Sequence, residues 1–210
     1  MHYSREDIVQ LDKISRLNLI NSITGIKPAN LIGTKSTSGQ ENLAIFSSVV
    51  HLGSNPALIG MMTRPVDIVP RDTYSNIKET GVYTINHVHS SQISKAHYTS
   101  AKFDRSVSEF QACGFNSEYI NEFSAPFVSE SKCKFALELR EMIPIQLNGT
   151  ILVIGEIRDI YINDDVLSDD LQVDLAQLDT VGISGLNRYY SLQFEKELPY
   201  ARVEDLPKFK

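Results

Sequence analysis

The chain has 210 residues, 42% of them hydrophobic and 22% charged, with a net charge of −6, the balance of a packed globular domain. No block of basic residues could neutralise a run of phosphates, which argues against a nucleic-acid partner, and no segment approaches the roughly 18 apolar residues that span a bilayer. Residues 1–7 lack the apolar core of a signal peptide, and Cys113 and Cys133 have neither metal-type nor redox-type spacing, so the expectation is a soluble cytoplasmic protein with two reduced thiols.

Ser4 before Arg5-Glu6-Asp7 reads as a helix cap, with Ile8, Leu11 and Ile14 at helical spacing, which predicts a short helix ending near residue 14. Leu17, Leu19, Asn21 and Ile23 then alternate with other residues, as in a strand, and Ala29 to Gly33 is a short apolar run. Ser38-Gly39-Gln40 is turn chemistry and predicts a hairpin. Residues 42–52 read as one strand and 57–63 as another, both apolar on two faces and separated by a turn at Asn55-Pro56. Such strands are buried on both sides, in a closed barrel or under covering helices.

After Pro70, residues 71–81 predict a helix that Asp72 or Thr73 caps and Gly81 ends in a left-handed turn. A strand over 82–88 follows, then short helices near 91–98 and 106–112. Cys133, Phe135, Leu137 and Leu139 alternate with Lys132, Lys134, Ala136 and Glu138. With Asn148-Gly149 as turn and Ile151, Val153, Gly155 and Ile157 as the return, they predict a long antiparallel hairpin. Six or seven mostly antiparallel strands with short peripheral helices fit a barrel better than a doubly wound sheet. No linker or internal repeat divides the chain, so 1–210 reads as a single domain: an N-terminal helix, a barrel over about 15–190, and a C-terminal tail.

Three groups of residues could carry chemistry. Ser47-Ser48 lies within an otherwise apolar strand, with Asn42 on the same face as Ser48 if that strand is regular; buried hydroxyls need partners, from the backbone or from a ligand. Arg64, Arg71-Asp72-Thr73 and Asn76 surround a helix start, where free N–H groups and the helix dipole attract an anion; a capped surface helix with solvated arginines would look the same. His87-Val88-His89 puts two imidazoles on one strand face, but no carboxylate or cysteine stands at matching spacing, so no metal site is expected. The sequence has no phosphate-binding loop of the GxGxxG type and no Ser-His-Asp pattern.

Taken in order, Lys27 to Thr34, Glu41-Asn42-Leu43-Ala44-Ile45-Phe46-Ser47, Asn55-Pro56, Asp72-Thr73-Tyr74-Ser75-Asn76-Ile77 with Thr80-Gly81-Val82-Tyr83-Thr84-Ile85-Asn86, and Ser108-Glu109-Phe110 before Gly114 resemble the flavin reductase-like, FMN-binding split-barrel family. The resemblance covers about residues 15–190. It implies a mainly β fold, an antiparallel split β-barrel with peripheral helices, and FMN at the interface of a homodimer. The phosphate and ribityl candidates it implies are Asn42, Ser47, Ser48, Arg64, Thr73 and Asn76, with Thr34 and Ser36 lining the same cleft. It further implies hydride transfer from NADH or NADPH to flavin N5, with no general acid or base assigned. His97 and Ser108 are placed near the open flavin face. A flavin-binding electron carrier, or a relative that binds haem, would need a similar frame. The chain departs from the family at Ile45, where proline is common, at the single proline Pro56, and around Gly182 to Tyr190.

Overall fold

The computed structural model describes residues 1–67 and 69–208, so the last two residues of the expected tail lie outside the described residues. Its frame is one seven-stranded antiparallel sheet in the order β3-β2-β6-β9-β10-β5-β4. The strands are β2 (Asn30–Lys35), β3 (Glu41–Phe46), β4 (Val49–Ser54), β5 (Ala57–Thr63), β6 (Val82–His87), β9 (Cys133–Ile145) and β10 (Thr150–Ile162). A three-stranded sheet adds β1 (Lys27–Pro28), β11 (Val181–Ser184) and β12 (Arg188–Ser191); β7 (Ser117–Glu118) pairs with β8 (Phe127–Val128).

The long sheet must curl. Its two edge strands, β3 and β4, are consecutive in the chain and joined by only Ser47 and Ser48, a link of two residues that forces the edges together. The two do not pair with each other, which leaves the barrel split. Ile32, Met61, Tyr83, Ile85, Leu137, Ile151 and Val153 fill its inside, contributed by five different strands at alternate positions. On the outside of β2 and β3, Leu31 and Leu43 join Val88, Ala96, Phe110, Val128, Val181 and Ile183 under the small sheet and two short helices, α4 (Ile93–Tyr98) and α5 (Glu109–Ala112). That double covering explains the apolar runs. β2 is buried at five consecutive positions, Asn30 to Thr34, and each fully buried Leu or Ile adds about 2 kcal/mol.

Several expectations change. Residues 17–23, read as a strand, belong to the helix α2 (Lys13–Ser22), which follows α1 (Arg5–Gln10). The Asp12 carboxylate accepts from Ile14 N and Ser15 N and starts this second helix; Ile14, Leu17 and Ile20 are spaced by three, as a helix requires, while Leu17, Leu19 and Ile23 fall at the strand-like alternate positions. The 42–52 strand breaks at Ser47-Ser48. Ser47 is half-buried and Ser48 exposed, and β4 shows Val50 and Leu52 to solvent, so neither the continuous strand nor its burial on both faces holds beyond Phe46. Asn42 and Ser48 therefore do not share one regular strand face.

The hairpins at Gly39 and at Asn148-Gly149 form, with φ of 91° and 72° at their glycines. The second joins strands of thirteen residues each, with two register shifts at Ile154/Gly155 and Ile157/Asp159 that bend the ladder. No helix among the described residues is long and apolar enough to cross a membrane.

Candidate flavin site

The helix α3 (Asp72–Thr80) ends as the sequence predicts, at Gly81 with φ of 74°. Its start does not follow the prediction. The cap position is Arg71, with φ −126° and ψ 104°, and no side chain caps the first-turn N–H groups. Asp72 stands one residue too late to cap and instead pairs with Arg105 at 3.4 Å, which offsets a carboxylate that would otherwise repel an anion there. The Arg71 Nε is buried without a hydrogen-bond partner. Free backbone donors, a helix dipole and an unpaired guanidinium N–H together form an anion receptor.

Arg64 is exposed directly after β5, and Ser48 is tied to that strand by Met62 N–H donating to its carbonyl at 3.0 Å. Phe46 and Val49, which flank the two serines, pack on the cluster that takes Tyr74 from α3 and Val66 from the loop after Arg64. The serine link, the end of β5 and the first turn of α3 thus share one apolar footing.

Four other candidates bind one another. Asn42 Nδ2 donates to Thr34 Oγ1 at 3.2 Å and to Thr73 Oγ1 at 3.0 Å, and Asn76 Nδ2 donates to Thr34 Oγ1 at 3.1 Å. All four side chains belong to buried residues. This network fastens α3 to β2 and β3, and Asn76 Oδ1 remains buried without a partner. Ser36 shapes the neighbouring hairpin: its Oγ lies 2.8 Å from Ser38 Oγ and accepts from Gln40 N at 3.0 Å. Ser36, Asn42, Asp72 and Asn76 line one small cavity with Arg105 and Glu109.

The free edge of β3 is closed by side chains. Leu43 N donates to Glu109 Oε2 at 3.0 Å, and Ile45 N donates to Thr99 Oγ1 at 2.9 Å. Burial raises the pKa of Glu109 above the usual carboxylate value, an effect the Leu43 N–H opposes and the nearby Asp72 reinforces. Ser108 Oγ is buried with no partner, and His97 Nδ1 lies 3.2 Å from Tyr189 Oη.

Sequence reasoning did not single out Glu109 or Thr99 as edge caps. A carboxylate 66 residues from the amide it caps leaves no local spacing signal. The sequence marks Arg71 only as one of the group around the helix start, because Asp72 and Thr73 offer acceptor caps; a start one residue earlier leaves the cap position without an acceptor.

The two strand-end imidazoles are individually engaged. His87 Nδ1 lies 3.3 Å from Thr180 Oγ1, and His89 Nε2 accepts from Lys132 N at 3.3 Å. Burial, with a contribution from His89, lowers the His87 pKa from 6.5 to about 4. The unfolded chain therefore takes up this proton near pH 6.5 and the folded chain only near pH 4. The stability that neutral His87 contributes is complete above pH 6.5 and is lost as the pH falls toward 4. Urea midpoints of the wild type should drop between pH 7 and 5 by the equivalent of about 2 kcal/mol more than those of His87→Gln. Parallel pH profiles for the two proteins would refute this.

Residues 26–177 match the model of the flavin reductase like domain. A candidate flavin reductase with a split barrel domain from Shewanella frigidimarina is 49% identical, with 96% of this chain and 100% of that one covered and a TM-score of 0.92. Nitrilotriacetate monooxygenase component B from Bacillus cereus is 17% identical, covering 94% and 98%, with a TM-score of 0.83. Flavoredoxin of Desulfovibrio vulgaris is 22% identical, covering 84% and 92%, with a TM-score of 0.73. With the split barrel, the open start of α3 and a domain match over most of its length, the chain belongs to the flavin reductase-like family of split-barrel proteins.

Proposed function

We propose that the chain binds FMN with its phosphate at the start of α3, works as a homodimer in the cytoplasm, and serves hydride transfer from NADH or NADPH to the flavin. The observation that carries this reading is the uncapped first turn of α3 beside a buried, unpartnered Arg71 Nε. Bound FMN would supply the redox chemistry, accepting a hydride at N5.

The chain's own residues bind and position. Arg71 and Arg64 supply charged donors, which are the strong kind. Thr73 accepts from Asn42, so its own hydroxyl proton is free to donate toward the same anion. Ser47 and Ser48 add hydroxyls from the link between the sheet edges. Thr34, Asn42 and Asn76 fix the angle of the helix, and Ser36 fixes the turn beside the cavity. A second copy of the chain would cover the apolar side chains left exposed at Ile14, Leu17 and Ile20 of α2 and at Val50 and Leu52 of β4.

The purified protein with one equivalent of FMN should show oxidised-flavin absorbance that bleaches on anaerobic addition of NADH or NADPH. Flavin bands that form but persist would favour the second reading, a flavin-binding electron carrier, for which the shared fold with flavoredoxin speaks. A protein that takes up no FMN would overturn both.

A further inference from the structure

At the far end of β6 from α3 lies a cleft of about 350 Å³, bounded by Lys95, Lys132, Gln92, Phe115, Glu130 and Asp179 among others. These six come from four places in the chain: the turn and helix after β6, the segment after α5, the entry to β9 and the entry to β11.

The formal charges in this wall cancel, two lysines against two carboxylates. The hydrogen-bonding capacity does not. Asp179 Oδ2 already accepts from Ser90 N at 3.2 Å and from Ser90 Oγ at 2.5 Å. Glu130 accepts from Asn116 N and Nδ2, at 3.1 and 2.8 Å to Oε1. Each acid thus has at least one oxygen already engaged by donors of the protein, Asp179 by Ser90 and Glu130 by Asn116. On the donor side, Lys95 Nζ has one neutral partner, the Gly114 carbonyl at 2.8 Å, and sits 5.8 Å from the centre of the Phe115 ring. Among the described residues Lys132 makes no ion pair.

Gln92 decides the matter. It is 5% exposed, its Oε1 accepts from His89 N at 3.2 Å, and this fixes the orientation of the amide. Its Nε2 is buried and has no partner. A buried donor left unpaired is costly, and an acceptor atom of a ligand in the cleft would remove that cost.

We propose that this cleft is a second ligand site, taking a small organic molecule with a carboxylate or phosphate group: Gln92 Nε2 and the Lys132 ammonium hold the oxyanion, and Phe115 and Lys95 flank its body. The site does not involve α3 and does not depend on flavin being bound.

The test is thermal unfolding of the FMN-loaded protein with inorganic phosphate or with benzoate, in the wild type and in Lys132→Gln and Gln92→Glu. The second variant keeps the acceptor oxygen toward His89 N but removes the donor. At a tenfold excess over Kd, the effective probe should raise the wild-type Tm by about 3 °C, and both variants should lose the shift while retaining FMN. A shift with benzoate alone identifies the occupant as a carboxylate, and one with phosphate alone as a phosphate. No shift with either probe overturns the proposal. So does a shift that survives in both variants or disappears in Arg71→Ala, which would assign the anion to another site.

Discussion

Arg64→Ala combined with Arg71→Ala should weaken FMN binding at least about 100-fold while leaving the fold intact. Each arginine would contribute a charged hydrogen bond to phosphate, worth about 1.5 to 3 kcal/mol, so losing two removes at least about 3 kcal/mol. Among the described residues neither side chain joins an apolar cluster or an ion pair, so stability should change little. Arg71→Ala alone should account for the larger share, because its Nε is buried and unpaired whereas Arg64 is exposed. Fluorescence titration of FMN against each variant gives the Kd directly. An unchanged value in the double variant would remove the start of α3 from phosphate binding and leave the flavin to be placed elsewhere in the barrel.

Gly33→Ala should lower stability by about 3 kcal/mol, at the high end for overpacking, and Tm by roughly 6 to 12 °C. A Cβ at this position would lie 2.1 Å from the Pro126 carbonyl oxygen and 2.6 Å from Thr84 Oγ1, two atoms already bonded to each other at 2.7 Å. One obstacle is backbone, so no side-chain rotation relieves it. Gly33 pairs with both Leu43 and Thr84 in the middle of the sheet, and the strand cannot move without breaking a ladder. Gly53→Ala is the control, since its Cβ would meet nothing nearer than the Pro56 oxygen at 3.5 Å. Equal Tm losses in the two variants would show that the contact at Gly33 carries no special cost.

The features legible in the sequence were those set by near neighbours. Alternation and Asn-Gly located the β9–β10 hairpin; Gly81 located the end of α3; the two apolar faces read over residues 42–52 signalled covering on both sides, which holds for the β3 part. What stayed hidden depended on distant groups. The strand through Ser47-Ser48 looked continuous because the break is imposed by closing the barrel, not by a local breaker such as proline or glycine. Residues 17–23 carried an alternation and a three-residue spacing together, and the Asp12 cap decided between them. Thr34, Asn42, Thr73 and Asn76 were visible as polar positions in buried surroundings, yet their bonding to one another joins residues up to 42 apart. No spacing rule reaches that far.

The side-chain closure of β3 bears on how this sheet can grow. A strand edge with free amides is a template for another chain. Here Leu43 N and Ile45 N are already occupied by Glu109 and Thr99. At the opposite edge, β4 pairs only with β5 and carries Val50 and Leu52 outward. In the single chain, strand addition is therefore one-sided: another chain that extends the sheet finds its opening along Val49–Ser54, an opening the proposed second copy would close over Val50 and Leu52, while two side chains seal the β3 side.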